Sequence, residues 1–180
     1  MSGARTHFLF KQDNGKLRLG SKPTPMPEKY ITSTKELIDK ATFNGSVLVD
    51  LDAAESFKLT LGNVDDYVVI ARDRDGFSVD RAKSGKMDYH PMLERELYQK
   101  RYVKHAVKEA GCTKVFLDGP VLEVYADDGR LAFTFLVYPR NPYNTITVEG
   151  TKGTVRELKI LEQEPVEDPF VNQDHFTKEA

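Results

Sequence analysis

The side chains able to do chemistry in this sequence are a run of carboxylates, a set of tyrosines and a few scattered histidines. Asp118, Glu123, Asp127 and Asp128 fall close together. Two carboxyl groups about 5 Å apart are what a retaining glycosidase uses, one as nucleophile and one as acid/base. Asp118-Gly119 and Asp128-Gly129 are turn signals, because aspartate and glycine accept the φ > 0 backbone that closely joined strands require. Asp127 belongs to the second of these turns, and Glu123 reads as an ordinary outward strand position. The carboxylates are therefore expected to be turn residues and an outward strand residue, and no catalytic residue is assigned.

The other candidates meet similar objections. Asp73, Asp75, Gly76 and Asp80 are oxygen-rich but lack the ligand spacing of an EF-hand, and a hairpin turn explains them. His7, His90, His105 and His175 lie far apart and form no metal-binding pair, so they read as solvated or incidental. Cys112 is the single cysteine, which excludes an internal disulfide and a cysteine-rich metal site; in an apolar strand it is expected to be a buried small residue. Ser56 and Ser84-Gly85 have no nucleophile-elbow context. No metal or cofactor is implied. The tyrosines remain: Tyr89, Tyr98, Tyr102 and Tyr125, with Tyr138 and Tyr143, supply rings of the kind that stack on sugars. The chain has no tryptophan, and tyrosines in a core or interface account for the same residues.

The elements that must position these side chains are strands. From Cys112 to Tyr138, Leu131, Phe133, Phe135 and Val137 alternate with Ala132, Thr134, Leu136 and Tyr138, the two-residue period of a sheet, and two Asp-Gly turns make the stretch a three-stranded meander. Thr6 to Phe10 and Lys16 to Leu19 flank Asp13-Asn14-Gly15 as a hairpin. Pro23, Pro25 and Pro27 mark a surface connector, and Ser33 with Glu36 has the spacing of a capping box, predicting one helical turn. Further strands are expected at Ser46 to Leu51, Phe57 to Leu61, Tyr67 to Ala71, Phe77 to Arg81, Tyr98 to Val107, Thr145 to Val148 and Val155 to Leu161, with a helical turn near Leu93 to Leu97. The prediction is an all-β protein, an antiparallel β-sandwich of two sheets, jelly-roll or concanavalin-like, with about ten to twelve strands. Residues 1–32 would be N-terminal strands and connector, 33–161 the sandwich, and 162–180 a tail.

Composition sets limits. The 180 residues, 39% hydrophobic, can bury a substantial core. A net charge of -2 from 26 basic and 28 acidic residues argues against a non-specific hold on nucleic acid or an anionic membrane. The N-terminus has no apolar run of signal-peptide length and no later segment could span a bilayer, so a soluble, cytoplasmic protein is expected.

Two motifs then carry a resemblance. Gly76-Phe77-Ser78-Val79-Asp80-Arg81-Ala82-Lys83-Ser84-Gly85, followed by Lys114 through Gly129 with Phe116, Asp118, Glu123, Val124, Asp128 and Gly129 at characteristic places, resembles the C-terminal β-sandwich module of glycoside hydrolase family 32. Val137-Tyr138-Pro139 stands where that family ends the next strand, and Asn14-Gly15-Lys16-Leu17 with the proline connector is similar to the segment joining the module to its catalytic domain. The family includes invertases, sucrose-6-phosphate hydrolases, levanases and inulinases. Its catalytic domain is a five-bladed propeller bearing Asn-Asp-Pro-Asn, Arg-Asp-Pro and Glu-Cys motifs. Arg72-Asp73 is followed here by Arg74, Cys112 is preceded by Gly111, and Asp168-Pro169 lacks flanking asparagines. The resemblance thus implies an accessory module in a sucrose or fructan hydrolysis setting, partnered with a β-propeller glycosidase domain or with itself through an exposed sheet face. The alternative is a lectin-like module that binds fructans or other glycans.

Overall fold

A computed structural model describes residues 4–12, 14–88, 91–92, 95–105 and 110–159. Fourteen strands lie among them: β1 (Arg5–Lys11), β2 (Leu17–Pro23), β3 (Ile31–Leu37), β4 (Lys40–Thr42), β5 (Val47–Leu51), β6 (Phe57–Gly62), β7 (Tyr67–Arg72), β8 (Gly76–Asp80), β9 (Lys100–Lys104), β10 (Thr113–Asp118), β11 (Val121–Ala126), β12 (Leu131–Leu136), β13 (Thr145–Glu149) and β14 (Gly153–Leu158). Sheet I runs in the order β12-β11-β10-β5-β14-β3 and sheet II in the order β4-β13-β6-β7-β8-β9, all antiparallel, and β1 and β2 form a separate hairpin. The expected sandwich is present.

Two strands more than the predicted upper bound are seen, and both come from one misreading. Ile31–Leu37, which includes the Ser33/Glu36 capping box, is extended and pairs with β14; β4 follows it. Neither is a helical turn. Both are edge strands whose exposed polar side chains hide the alternation. The short helix after the long excursion is Glu96–Gln99, slightly later than predicted, and the strand expected from Tyr98 begins at Lys100.

The core forms because alternate residues of each sheet point at the other. Val47, Val49, Leu51, Val115, Leu117, Leu122 and Val124 of sheet I are buried against Leu59, Leu61, Val68, Ile70, Phe77, Val79, Ile146 and Val148 of sheet II. Phe77 anchors the contact: its ring stacks on Phe133 of the opposite sheet at 5.7 Å and meets Phe57 edge-on at 6.0 Å. Each such aliphatic or aromatic side chain contributes about 1.5–3 kcal/mol on leaving water.

Polar clasps close the two ends of these apolar layers. At one end, Arg72 finishes β7 facing inward and donates to Asp127, which sits in the β11–β12 turn with φ 49°. The Asp127 carboxylate also accepts the Gly111 amide at 3.0 Å, and His105 Nε2 lies 2.7 Å from its other oxygen. Asp127 is fully buried and Arg72 nearly so. Asp127 is a turn residue, as expected, but a buried one, and His105, expected to be solvated or incidental, is one of its partners. A β-carbon on Gly111 would stand 2.4 Å from the Asp128 carboxylate, so the chain approaches the turn too closely for a side chain. At the opposite end, Arg81 leaves β8, donates from Nε to the Tyr98 carbonyl at 2.7 Å, and reaches sheet I at the Leu136 carbonyl, 2.6 Å away. Cys112, expected to be buried, is exposed just before β10.

Burial alone would raise the Asp127 pKa, but His105, Arg72 and the Gly111 amide outweigh it and hold the carboxyl below the ordinary carboxylate range. A depressed folded-state pKa supplies stability that is present above the unfolded value and is lost as pH falls through the folded one. Asp127→Ala is therefore predicted to cost about 3–5 kcal/mol in denaturant unfolding at neutral pH, because Arg72 is left buried and unpaired. The wild type should lose stability as the pH drops below about 4, and the part of that loss due to Asp127 should vanish in the variant.

Candidate functional site

Of the tyrosines singled out from the sequence, Tyr98, Tyr102 and Tyr125 do not converge. Tyr98, in the short helix, and Tyr102, on β9, are both exposed at one edge of sheet II. The Tyr102 ring lies over Gly76, and its pKa is raised by partial burial and by the charges of Asp73 and Asp75. Tyr125 is on sheet I and only 2% exposed, so it has no free ring face; Tyr89 falls outside the described residues. The Asp73 group is a turn, as expected: one Asp73 oxygen accepts the amides of Asp75 and Gly76. Among the described residues, no three His, Cys, Asp or Glu side chains are grouped to hold a metal ion.

The two motifs of the sequence are taken up by architecture. Besides Arg81, Ser84 is fully buried, and its carbonyl accepts the Tyr143 hydroxyl at 2.7 Å. Gly85 has φ +122°, and a β-carbon there would stand 2.0 Å from the Tyr138 carbonyl oxygen, the same oxygen that accepts the Lys86 amide. That contact seats the Ser84-Gly85 turn on the end of the Val137-Tyr138-Pro139 segment. Asp118 accepts the Ser46 hydroxyl at 2.7 Å, tying the β10–β11 turn to the start of β5.

Glu123 is the residue whose setting differs most from expectation. It is on the outer face of sheet I, yet it is fully buried, because the β1–β2 hairpin lies across that face. Arg5 of β1 donates to Glu123 and to Thr134 Oγ1 at 2.6 Å, and its guanidinium sits 5.5 Å from the Tyr125 ring centre. The Tyr125 hydroxyl donates to the other Glu123 oxygen at 2.8 Å. Farther along, Ser21 donates its amide to Gly129, so the hairpin is fastened to the same turn that carries Asp127.

Beside this cluster the connector overhangs a groove of about 400 Å³. Pro23, Pro25, Met26 and Pro27 form one wall, Ile31, Leu48 and Phe116 the other, and Lys114, Arg156 and Glu123 supply its polar lining. Lys114 and Arg156 both bind Asp50, one on each carboxylate oxygen. The groove is mostly apolar, and each of its charged side chains is held in an ion pair. Glu123 and Asp127 do not face each other across it: Glu123 points outward beneath the hairpin, whereas Asp127 turns toward Arg72 of the other sheet. What this arrangement does chemically is hold segments together.

Arg5→Ala would leave Glu123 buried without its cation. With Arg5 about a quarter exposed, the cost should lie between those of surface and buried pairs, about 2 kcal/mol, and limited proteolysis should cut the hairpin faster. Burial, the hydrogen bond to Glu123 and the Glu123 charge push the Tyr125 pKa up to about 12. Its stabilising contribution should be complete below about pH 10 and lost as pH rises through about 12, a loss that Tyr125→Phe abolishes.

The model described as "Glycosyl hydrolases family 32 C terminal" matches residues 10–162. No curated protein matches the sequence. Among solved structures, the chain is similar to the exo-inulinase of Aspergillus awamori, with a TM-score of 0.69 and 14% identity over 86% of this chain and 35% of that one. It is similar to the fructofuranosidase of Schwanniomyces occidentalis complexed with fructose, with a TM-score of 0.63 and 15% identity over 88% of this chain and 40% of that one. The GH32 beta-fructofuranosidase of Bombyx mori gives a TM-score of 0.61 and 13% identity over 85% and 32%. The chain thus spans about a third to two fifths of the length of the enzymes it matches.

Proposed function

The chain belongs to the family of glycosyl hydrolase family 32 C-terminal domains, and from that membership we propose that it is a non-catalytic sandwich that docks onto a β-propeller catalytic domain and stabilises it. The setting would be sucrose or fructan hydrolysis. One observation supports the reading most strongly: the polar residues of the two motifs hold the sandwich together. Arg81 ties the sheets at one end, Ser84 receives Tyr143, Asp118 receives Ser46, and Glu123 is neutralised by Arg5. A hydrolytic centre needs an acid and a nucleophile open to substrate. Glu123 and Asp127, the two fully buried carboxylates of the meander, are each paired with an arginine.

A second reading rests on Tyr98 and Tyr102, whose rings share an exposed sheet edge and offer a surface on which a glycan could stack. Titration calorimetry with sucrose, inulin and levan oligomers separates the two readings. Heat that disappears in the Tyr102→Ala variant would favour glycan binding.

The docking reading predicts that this protein, mixed with a family 32 catalytic domain produced without its own C-terminal domain, forms an equimolar complex and raises that domain's melting temperature. Separate elution together with an unchanged melting temperature would contradict it.

A further inference from the structure

The base of the hairpin, with Arg5 and Ser21, meets the outer face of sheet I, but toward the turn the same face of the hairpin is uncovered. Leu9 and Leu19 are directly paired across β1 and β2, and Leu17 is two residues along on the same face. They are 69%, 64% and 67% exposed. On the other face the apolar rings are partly covered: Phe8 packs against Gly20, whose added β-carbon would stand 2.3 Å from the ring, and lies 5.1 Å from Lys22 Nζ, while Phe10 lies beside Arg130. Two-stranded hairpins are marginal in water alone, and a contiguous leucine surface on one is unfavourable unless something covers it.

Charge narrows what that cover is. Residues 5–23 contain five lysines and arginines and a single acid, Asp13, in a chain whose net charge is -2. Lys11 stands across from Leu17 on the leucine face and Lys16 adjoins it in the chain, so positive charge flanks the leucines, and the complementary surface is apolar with carboxylates around it. Chain layout narrows it further. More than half of each matched enzyme lies outside the region this chain covers, and the family is a C-terminal one. In such a protein the hairpin is the first element to follow the catalytic domain.

We propose that the Leu9–Leu17–Leu19 face of the hairpin is the surface through which this domain docks on the catalytic propeller, with the flanking positive charge set against acidic side chains of that domain. The proposal rests on the docking reading and assigns it a location. It also gives the Arg5–Glu123 pair a role, since that pair sets the angle at which the leucines are presented.

The test measures binding of the full chain to a separately produced family 32 catalytic domain, with thermal unfolding of every variant measured alongside. Leu9→Ser/Leu19→Ser is expected to weaken binding at least 30-fold with an unchanged melting temperature. Ile38→Ser and Val64→Ser, which remove exposed apolar side chains elsewhere, should bind as the wild type does. Lys11→Glu/Arg18→Glu, which keeps the leucines, should also weaken binding and reverse its dependence on salt. Wild-type affinity in both hairpin variants, or loss of binding in Ile38→Ser, would overturn the location while leaving docking in place. Failure of the wild type to bind would overturn the docking reading and this proposal with it. Leucine-dependent self-association, or leucine-dependent binding to phosphatidylserine/phosphatidylcholine vesicles, in place of the catalytic domain would overturn the proposal in favour of those occupants.

Discussion

A carboxylate removed from water organises this fold. Asp127 stands in the β11–β12 turn of the meander, in a left-handed conformation that aspartate tolerates, and it is stable there only because Arg72, His105 and the Gly111 amide surround it. Those partners come from β7, from the segment after β9 and from the approach to β10. One charge therefore fixes where sheet I ends relative to sheet II. Desolvation offsets much of the Coulombic gain in such a pair, so its value lies chiefly in specifying one register of the layers. Arg81 performs the matching role at the other end through the Leu136 carbonyl. Between the two clasps the aliphatic core packs without directional constraint.

The same logic explains why the motif residues read as chemistry in a one-dimensional sequence and as architecture in three dimensions. Carboxylates and arginines at turn ends are what a sandwich needs to pin its loops, and a buried carboxylate held by an arginine is closed to a substrate. The polar groups with room to act lie elsewhere, on the outside of the molecule. They sit at the edge bearing Tyr98 and Tyr102 and on the hairpin that projects from sheet I. The function proposed for this domain is accordingly one of surfaces.

The meander was legible because its strands alternate and its turns are Asp-Gly, and most of the remaining strands were legible for the same reason. β3 and β4 were not, because edge strands carry polar residues on both faces; a capping-box spacing in Ile31–Leu37 then suggested a helix that tertiary pairing overrides. Glu123 was misread through the assumption that one face of sheet I meets water. A signal was present: Val121–Ala126 is apolar at every position but Glu123, the mark of a strand covered on both sides, and a lone glutamate in such a run requires a buried cation. The identity of that cation, Arg5, was not readable, since it lies 118 residues away. Cys112 was placed inside because its neighbours are apolar, but β10 starts one residue later and leaves it exposed.

The central claim is that charged residues of the meander serve to join the sheets. A double-mutant cycle on Arg72 and Asp127, using Arg72→Met, Asp127→Leu and the combination in equilibrium denaturation, tests it most directly. The account predicts a coupling energy of about 2–3 kcal/mol, with the double variant far more stable than the sum of the single losses implies. Additive effects would contradict it and would leave Asp127 free for some other role.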